Sequence, residues 1–165
     1  MSTVLIPPTT IIRHRKENLK KCSLRGLETH PSMQFFKYPG ATALSPNALL
    51  LTIDGEPLTP LDRGRELILI DGTWNLAKKM LKNIAGLQAL ERRSLPGEWK
   101  TAYPRVQTGC EDPARGLASV EALYAAYAVM GFDCPELLSG YYFKDAFIQL
   151  NLDLIQSLMR FAPNS

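Results

Sequence analysis

Apolar residues fall along this chain in two patterns, short unbroken runs and longer stretches of helical period. Leu67-Ile68-Leu69-Ile70 is wholly apolar and too short for a helix, which predicts a strand buried on both faces. Residues 48–53 predict a second buried strand closed by Asp54-Gly55, and residues 33–38 another closed by Pro39-Gly40. Residues 1–12, rich in Thr and Pro, read as an extended arm or a first strand around Thr10-Ile11-Ile12. Thr59 and Pro60 mark a helix start, as N-cap and first helical residue. Helices are predicted from residue 74 to about 83, from 119 to about 130 and from 144 to about 161. Ser119 is placed to cap the second of these, with Glu121 in its first turn and Gly131 at its end. Residues 13–25 read as a short helix, and residues 90–116 as a less regular stretch. Strands alternating with helices predict an α/β fold with a mainly parallel sheet. No repeat or linker divides the chain, so one domain over residues 1–165 is expected.

The corner at Asp71-Gly72-Thr73-Trp74 is the most informative point. A strand that ends in a polar turn and feeds a helix is where open α/β sheets place their ligands. The glycine fingerprint of a dinucleotide fold, the P-loop and the G-x-S-x-G elbow are all missing from the sequence, so a ligand here binds without the common phosphate cradles.

With 45% apolar and 21% charged residues, the composition is that of a globular chain, and no apolar run nears a membrane span. The start of the chain lacks the basic flank of a secretory signal, which leads us to expect a cytoplasmic protein with no membrane partner. Cys22, Cys110 and Cys134 are widely spaced, and His14 and His30 stand apart from any cysteine pair. Free thiols and no metal site are therefore expected. Charge changes the picture more. Residues 13–25 hold six basic residues against one acid, a local +5, which leaves −2 for the rest of a chain of net charge +3. Lys78, Lys79 and Lys82 form a second cluster on one side of the predicted helix after the corner. Such concentration marks a polyanion contact, or else a solvated basic face.

Taken together, these residues suggest a family. Asp71-Gly72-Thr73-Trp74, set between an apolar strand and Ala77-Lys78-Lys79-Met80, resembles the signature of the DTW-domain proteins. Leu117-Ala118-Ser119-Val120-Glu121-Ala122 is similar to the later L-S-T-x-E-A element of that superfamily. Arg93-x-Leu95-Pro96, the Tyr103-Pro104 region, Phe143-x-x-x-Phe147-x-x-x-Asn151 and Lys21-Cys22-Ser23-Leu24 resemble elements of its ribosome-maturation branch. The resemblance implies a SPOUT-like fold whose C-terminal trefoil knot forms a pocket for S-adenosylmethionine. It also implies transfer of the 3-amino-3-carboxypropyl (acp) group to a uridine or pseudouridine nitrogen of RNA. One branch acts on tRNA and the other on small-subunit ribosomal RNA. The flanking elements lean toward ribosomal RNA and the zinc-type N-terminal cysteine cluster of many tRNA-modifying members is missing, but the Asp-Gly-Thr-Trp spelling favours tRNA, and N3 of a tRNA uridine is the acceptor expected.

The sulfonium of S-adenosylmethionine activates all three of its carbons, so orientation in the site decides which group is transferred. By resemblance, Trp74 and Ala77 wall in the methyl group, and Ser23 binds the methionine carboxylate. The main chain at Ile70 holds the ribose, and Leu95 with Leu117, Ala118 and Ser119 encloses the adenine and amino end. Ser23 stands where the family usually has threonine. Asp71 is the candidate base for the uridine N3 proton, with capping of the next helix as its structural alternative. Trp74 as a core residue and Ser23 as a turn residue are the corresponding alternatives. Arg13, Arg15, Lys16, Lys20 and Lys21 are expected to meet RNA phosphates, as are Lys78, Lys79 and Lys82. Tyr103, Tyr141 and Tyr142 either stack a displaced base or pack. No metal takes part, and a monomer is favoured without being fixed by the sequence. The rival readings are a SPOUT RNA methyltransferase and a non-catalytic RNA-binding factor in ribosome assembly.

Overall fold

In the computed structural model, residues 6–15, 23–40, 44–72, 74–103 and 117–160 are described. Five strands form one sheet: β1 (Thr9–His14), β2 (Met33–Tyr38), β3 (Leu49–Pro57), β4 (Leu67–Asp71) and β5 (Glu91–Ser94), in the order β2-β1-β4-β3-β5. Every pairing is parallel, as the alternation of elements predicts. β1 pairs with β4 along its length, from Thr9↔Leu67 to Arg13↔Asp71, whereas β3 pairs with β4 only at Leu49↔Leu67 and Leu50↔Ile68.

Side chains alternate across this sheet and sort into two cores. Ile11, Leu49, Leu67 and Leu69 face one layer, built on helix α2 (Ser119–Val129), with α3 (Lys144–Leu150) and α4 (Leu152–Arg160) beyond it. Ile12, Leu50 and Ile68 face the other, where Met80 and Ile84 of and after helix α1 (Trp74–Asn83) close over them. β4 is therefore buried on both faces, in agreement with its unbroken apolar run. α2 is apolar almost all round, and nine of its eleven residues are buried, as befits a helix between a sheet and further helices. It ends in a Schellman motif: Phe132 N–H donates to Tyr127 O (2.8 Å) and Gly131 N–H to Ala128 O (3.1 Å), with Gly131 at φ +96°.

Five local expectations change. Asp54-Gly55 does not close β3, which continues to Pro57 through a bulge between Leu51 and Glu56. A Cβ at Gly55 would stand 2.6 Å from Arg92 C and Arg93 N, so only glycine lets β3 lie this close on β5. The stretch after Leu90 contains β5 itself, an edge strand with no apolar residue to announce it. Thr59 does cap Pro60, but the helix it starts is a single 3-10 turn, Pro60–Asp62, closed by reciprocal bonds with Asp62. In the basic stretch, Arg13 and His14 end β1 and residues 23–26 form a turn, while residues 16–22 lie outside the described residues.

The last helix is split in two at Asn151. Its side chain accepts from Lys100 N–H (2.8 Å) and donates to the carbonyls of Lys100 (2.9 Å) and Phe147 (2.9 Å). These bonds fasten the 96–103 segment to the helical layer. Asn151→Ala is expected to lower the unfolding free energy by about 2 kcal/mol, because main-chain groups at Lys100 lose their partners. Urea titration measures this, and a loss below about 0.5 kcal/mol would show that the fastening is replaceable.

Candidate functional site

β1 and β4 lie side by side, and their carboxyl ends set Arg13 opposite Asp71. Both continue the face that Ile11 and Leu69 turn toward α2. The Asp71 carboxylate is 3% exposed. Its Oδ2 accepts from Arg13 Nε (3.2 Å), and its Oδ1 accepts from the Ser119 hydroxyl at the first turn of α2 (2.7 Å). The positive end of α2 adds to the hold on this negative charge. The guanidinium of Arg13 also donates to Glu28 (3.2 Å) and lies over the Phe35 ring at 4.7 Å. At Glu28, burial would raise the carboxyl. Main-chain N–H groups, among them that of Gly26 (2.8 Å), and Arg13 outweigh burial and hold it below the usual glutamate value.

Ser119 does not cap α2, since the N-cap position is Ala118. Capping is divided between two other side chains. The Ser23 hydroxyl accepts from Val120 N–H (3.1 Å) across 97 residues of sequence, and Glu121 Oε1 accepts from Ala118 N–H (2.8 Å). Accepting from Val120 leaves the Ser23 hydroxyl its proton to donate, which suits a ligand carboxylate. Glu121 is wholly buried and also accepts from Ala102 N–H (2.9 Å), the Thr101 hydroxyl (2.7 Å) and the Tyr141 hydroxyl (3.0 Å). Burial, then the Glu121 charge and hydrogen bond, push the Tyr141 phenol well above its ordinary value. Ser23 and Tyr141 line a depression of about 220 Å³, with Arg25 and the glycines 26 and 140.

Asp71, Ser119 and Ser23 are thus brought to one end of the sheet, at the first turn of α2. Ile70 precedes Asp71 in β4, Leu95 and Leu117 are half-buried against the α2 core, and Ala118 is buried in it. Ala77 is half-buried on α1. Thr73 and the side chain of Trp74 lie outside what is described. Among the RNA-contact candidates, Arg15, Lys78, Lys79 and Lys82 are exposed, and Lys16, Lys20 and Lys21 lie outside the described residues. Arg13 requires correction: it is 9% exposed and tied to Asp71 and Glu28, whereas a phosphate contact stands free at the surface. Its alternation with Ile11 on a buried strand face is the signal that would have placed it inside. Arg93, in the Arg93-x-Leu95-Pro96 element, bonds Asp62 (3.3 Å) and Glu91 (3.0 Å), so it fastens β5 to the 3-10 turn. The carboxylate expected to act as a base is engaged on both oxygens, which makes Asp71 first a clamp between β1, β4 and α2.

Among the described residues, no cluster of three or more His, Cys, Asp or Glu could hold a metal ion, and no helix is long and apolar enough to cross a membrane. Cys134 is a buried free thiol, pushed up to about 12 by burial and then by the neighbouring charges of Glu136 and Asp133.

The family model of the DTW domain matches residues 3–150. Among solved structures, the chain is similar to the SAM-dependent rRNA:acp-transferase Tsr3 from Vulcanisaeta distributa, with a TM-score of 0.73 and 28% identity, over 94% of this chain and 84% of that one. No curated protein matches.

Two outcomes follow from this geometry. Asp71→Ala leaves the buried Arg13 with Glu28 as its ionic partner and should cost about 1.5–3 kcal/mol, part of which a second change, Arg13→Met, restores. Chemical denaturation of the two single variants and the double variant measures the coupling, and additive losses would mean that the pair is not a unit. Cys134 carries almost no thiolate at neutral pH, so mass spectrometry after iodoacetamide treatment should find it modified only in the unfolded chain.

Proposed function

The chain belongs to the DTW-domain family, and from that premise we propose that it transfers the acp group of S-adenosylmethionine to N3 of a uridine in tRNA, releasing methylthioadenosine. One observation carries the reading. Ser23, Asp71 and Ser119, far apart in sequence, meet at the carboxyl ends of parallel strands in a chain similar to an acp-transferase. We read the fold as SPOUT-like, with a C-terminal trefoil knot around the donor. A second reading, transfer to small-subunit ribosomal RNA, is favoured by the likeness to a ribosomal RNA enzyme.

In the proposed complex the Ser23 hydroxyl donates to the methionine carboxylate while it still accepts from Val120. The Ile70 main chain meets the ribose. Leu95, Leu117 and Ala118 present apolar surface to the adenine, and Ala77 with Trp74 encloses the methyl so that the acp carbon faces the RNA. The uridine nitrogen forms its bond to that carbon as the carbon–sulfur bond breaks. The electron pair goes to sulfur, and neutral methylthioadenosine leaves without needing an acid. The N3 proton needs an acceptor. Each carboxylate oxygen carries more than one lone pair, so Asp71 can take that proton while Arg13 and Ser119 hold it in place. Lys78, Lys79, Lys82 and Arg15 meet phosphates, and Lys16, Lys20 and Lys21 extend that contact.

Carboxyl-labelled S-adenosylmethionine tests the reading, because the label travels only with the acp group. Incubated with the protein, bulk tRNA should become labelled and methylthioadenosine should accumulate in equal amount. Label in small ribosomal subunits instead keeps the chemistry and changes the substrate. Formation of S-adenosylhomocysteine, or failure to bind the donor, would overturn the proposal.

A further inference from the structure

Phosphate contacts fix a strand on a protein but do not hold one of its bases at a reacting carbon. The turn between Ser139 and Lys144 carries a side chain suited to that task. Tyr142 is 90% exposed, while its neighbour Tyr141 is buried. The turn that presents it is held at several points. Tyr141 N–H donates to Leu138 O (2.9 Å), Lys144 N–H donates to Tyr141 O (3.1 Å), and the Tyr141 hydroxyl is anchored on Glu121 (3.0 Å).

The rings around it make a frame. Phe143 meets Tyr103 at 5.7 Å and Tyr141 at 5.8 Å, both edge to face, and these two tyrosines belong to the packed structure. Tyr142 adds a third contact with Phe143, at 4.9 Å and 81°, and turns the rest of its surface to water. An aromatic ring fixed in position with its surface open loses little freedom when a flat partner lies on it. The adjoining depression explains what that partner is. Tyr141 and Gly140 form one side of it, and Ser23 and Arg25 belong to its lining as well. Arg25 is exposed, so a cation stands beside the aromatic turn, and Ser23 is the residue assigned to the donor carboxylate.

We infer that Tyr142 is a stacking platform for an unpaired nucleotide of the substrate RNA, with Arg25 taking a phosphate of the same strand. The inference rests on the reading of the chain as an RNA-modifying transferase and deepens it. The substrate it selects is RNA with an unstacked base at the site, as in a loop or a bulge, since a base within a duplex offers no free face. Base stacking on an aromatic ring is tolerant of sequence, so this contact sets the strandedness of the substrate and leaves its sequence open.

The test compares Tyr142→Ala, Tyr142→Phe and Arg25→Ala in the full chain. Affinity for bulk tRNA and for a uridine-rich single-stranded oligonucleotide is read by fluorescence anisotropy over a range of salt, with donor affinity read separately by calorimetry. Tyr142→Ala should weaken binding of both RNAs by about tenfold with an unchanged salt slope, and Tyr142→Phe should keep the wild-type affinity. Arg25→Ala should reduce the slope of log K against log salt by about 1. Donor affinity should stay constant in both Tyr142 variants. Wild-type RNA affinity in Tyr142→Ala, or a loss that phenylalanine does not restore, would overturn the inference while acp transfer by the wild-type chain stands. Failure of the wild-type chain to bind either RNA would overturn the functional reading itself. Loss of self-association in Tyr142→Ala, seen by ultracentrifugation with RNA affinity unchanged, would assign the ring to a protein contact instead.

Discussion

A single buried carboxylate, that of Glu121, organises the end of this molecule where the chemistry is proposed. Taking a charge out of water is costly unless donors replace the lost hydration. Here four donors do so, from Ala118, Ala102, Thr101 and Tyr141. They come from three separate stretches of chain, so satisfying one charge sets the start of α2, the segment entering from β5 and the turn before α3 in a common frame. α2 is otherwise apolar, and apolar burial has little directional preference of its own. The carboxylate supplies the direction. With α2 held, Ser119 reaches Asp71 and Val120 reaches Ser23, and the site exists as a consequence.

Asp71 shows a second kind of dependence. It joins β1, β4 and α2 through Arg13 and Ser119, so one side chain ties the sheet to the helix laid on it. A carboxylate so placed is well oriented and restricted in approach at the same time. Orientation favours transfer between two bound partners, where geometry is most of the barrier. Each oxygen carries more than one lone pair, so what the two bonds restrict is the direction from which a proton can arrive. The same contacts that stabilise the fold therefore restrain the residue best placed for the chemistry.

The strands were legible because burial on both faces leaves a continuous apolar run, as in β4, and this is why the parallel sheet followed from the alternation of elements. β5 was not legible. As an edge strand of Glu-Arg-Arg-Ser, it is held by Ser94 on Gly55 O (2.8 Å) and by ion pairs of Arg93 with Asp62 and Glu91, none of which leaves a periodic trace. The break at Asn151 was hidden for a related reason: the helical period continues through it, and only the partner at Lys100 shows that the side chain is needed elsewhere. In the site, resemblance to a family marked Ser23, Asp71 and Ser119 together, but the contacts that place them, Ser119 with Asp71 and Val120 with Ser23, span 48 and 97 residues and belong to tertiary structure alone. Arg13 was misread because a basic run looks alike whether its members face water or a buried acid. Local sequence shows charge, and burial decides what the charge does.

The unequal pairing of β4 has a consequence for recognition. On one side β4 is laced to β1 from end to end, and on the other it parts from β3 after Ile68. The last part of β4, through Ile70, is therefore released from β3 while remaining rigidly supported by β1. A strand end left unpaired with β3 on one side differs from a loop. Its amides and carbonyls keep the spacing of a strand, and their direction is set by the covalent chain before any visitor arrives. In the proposed complex, the donor's ribose would meet main-chain groups whose spacing is fixed before it binds.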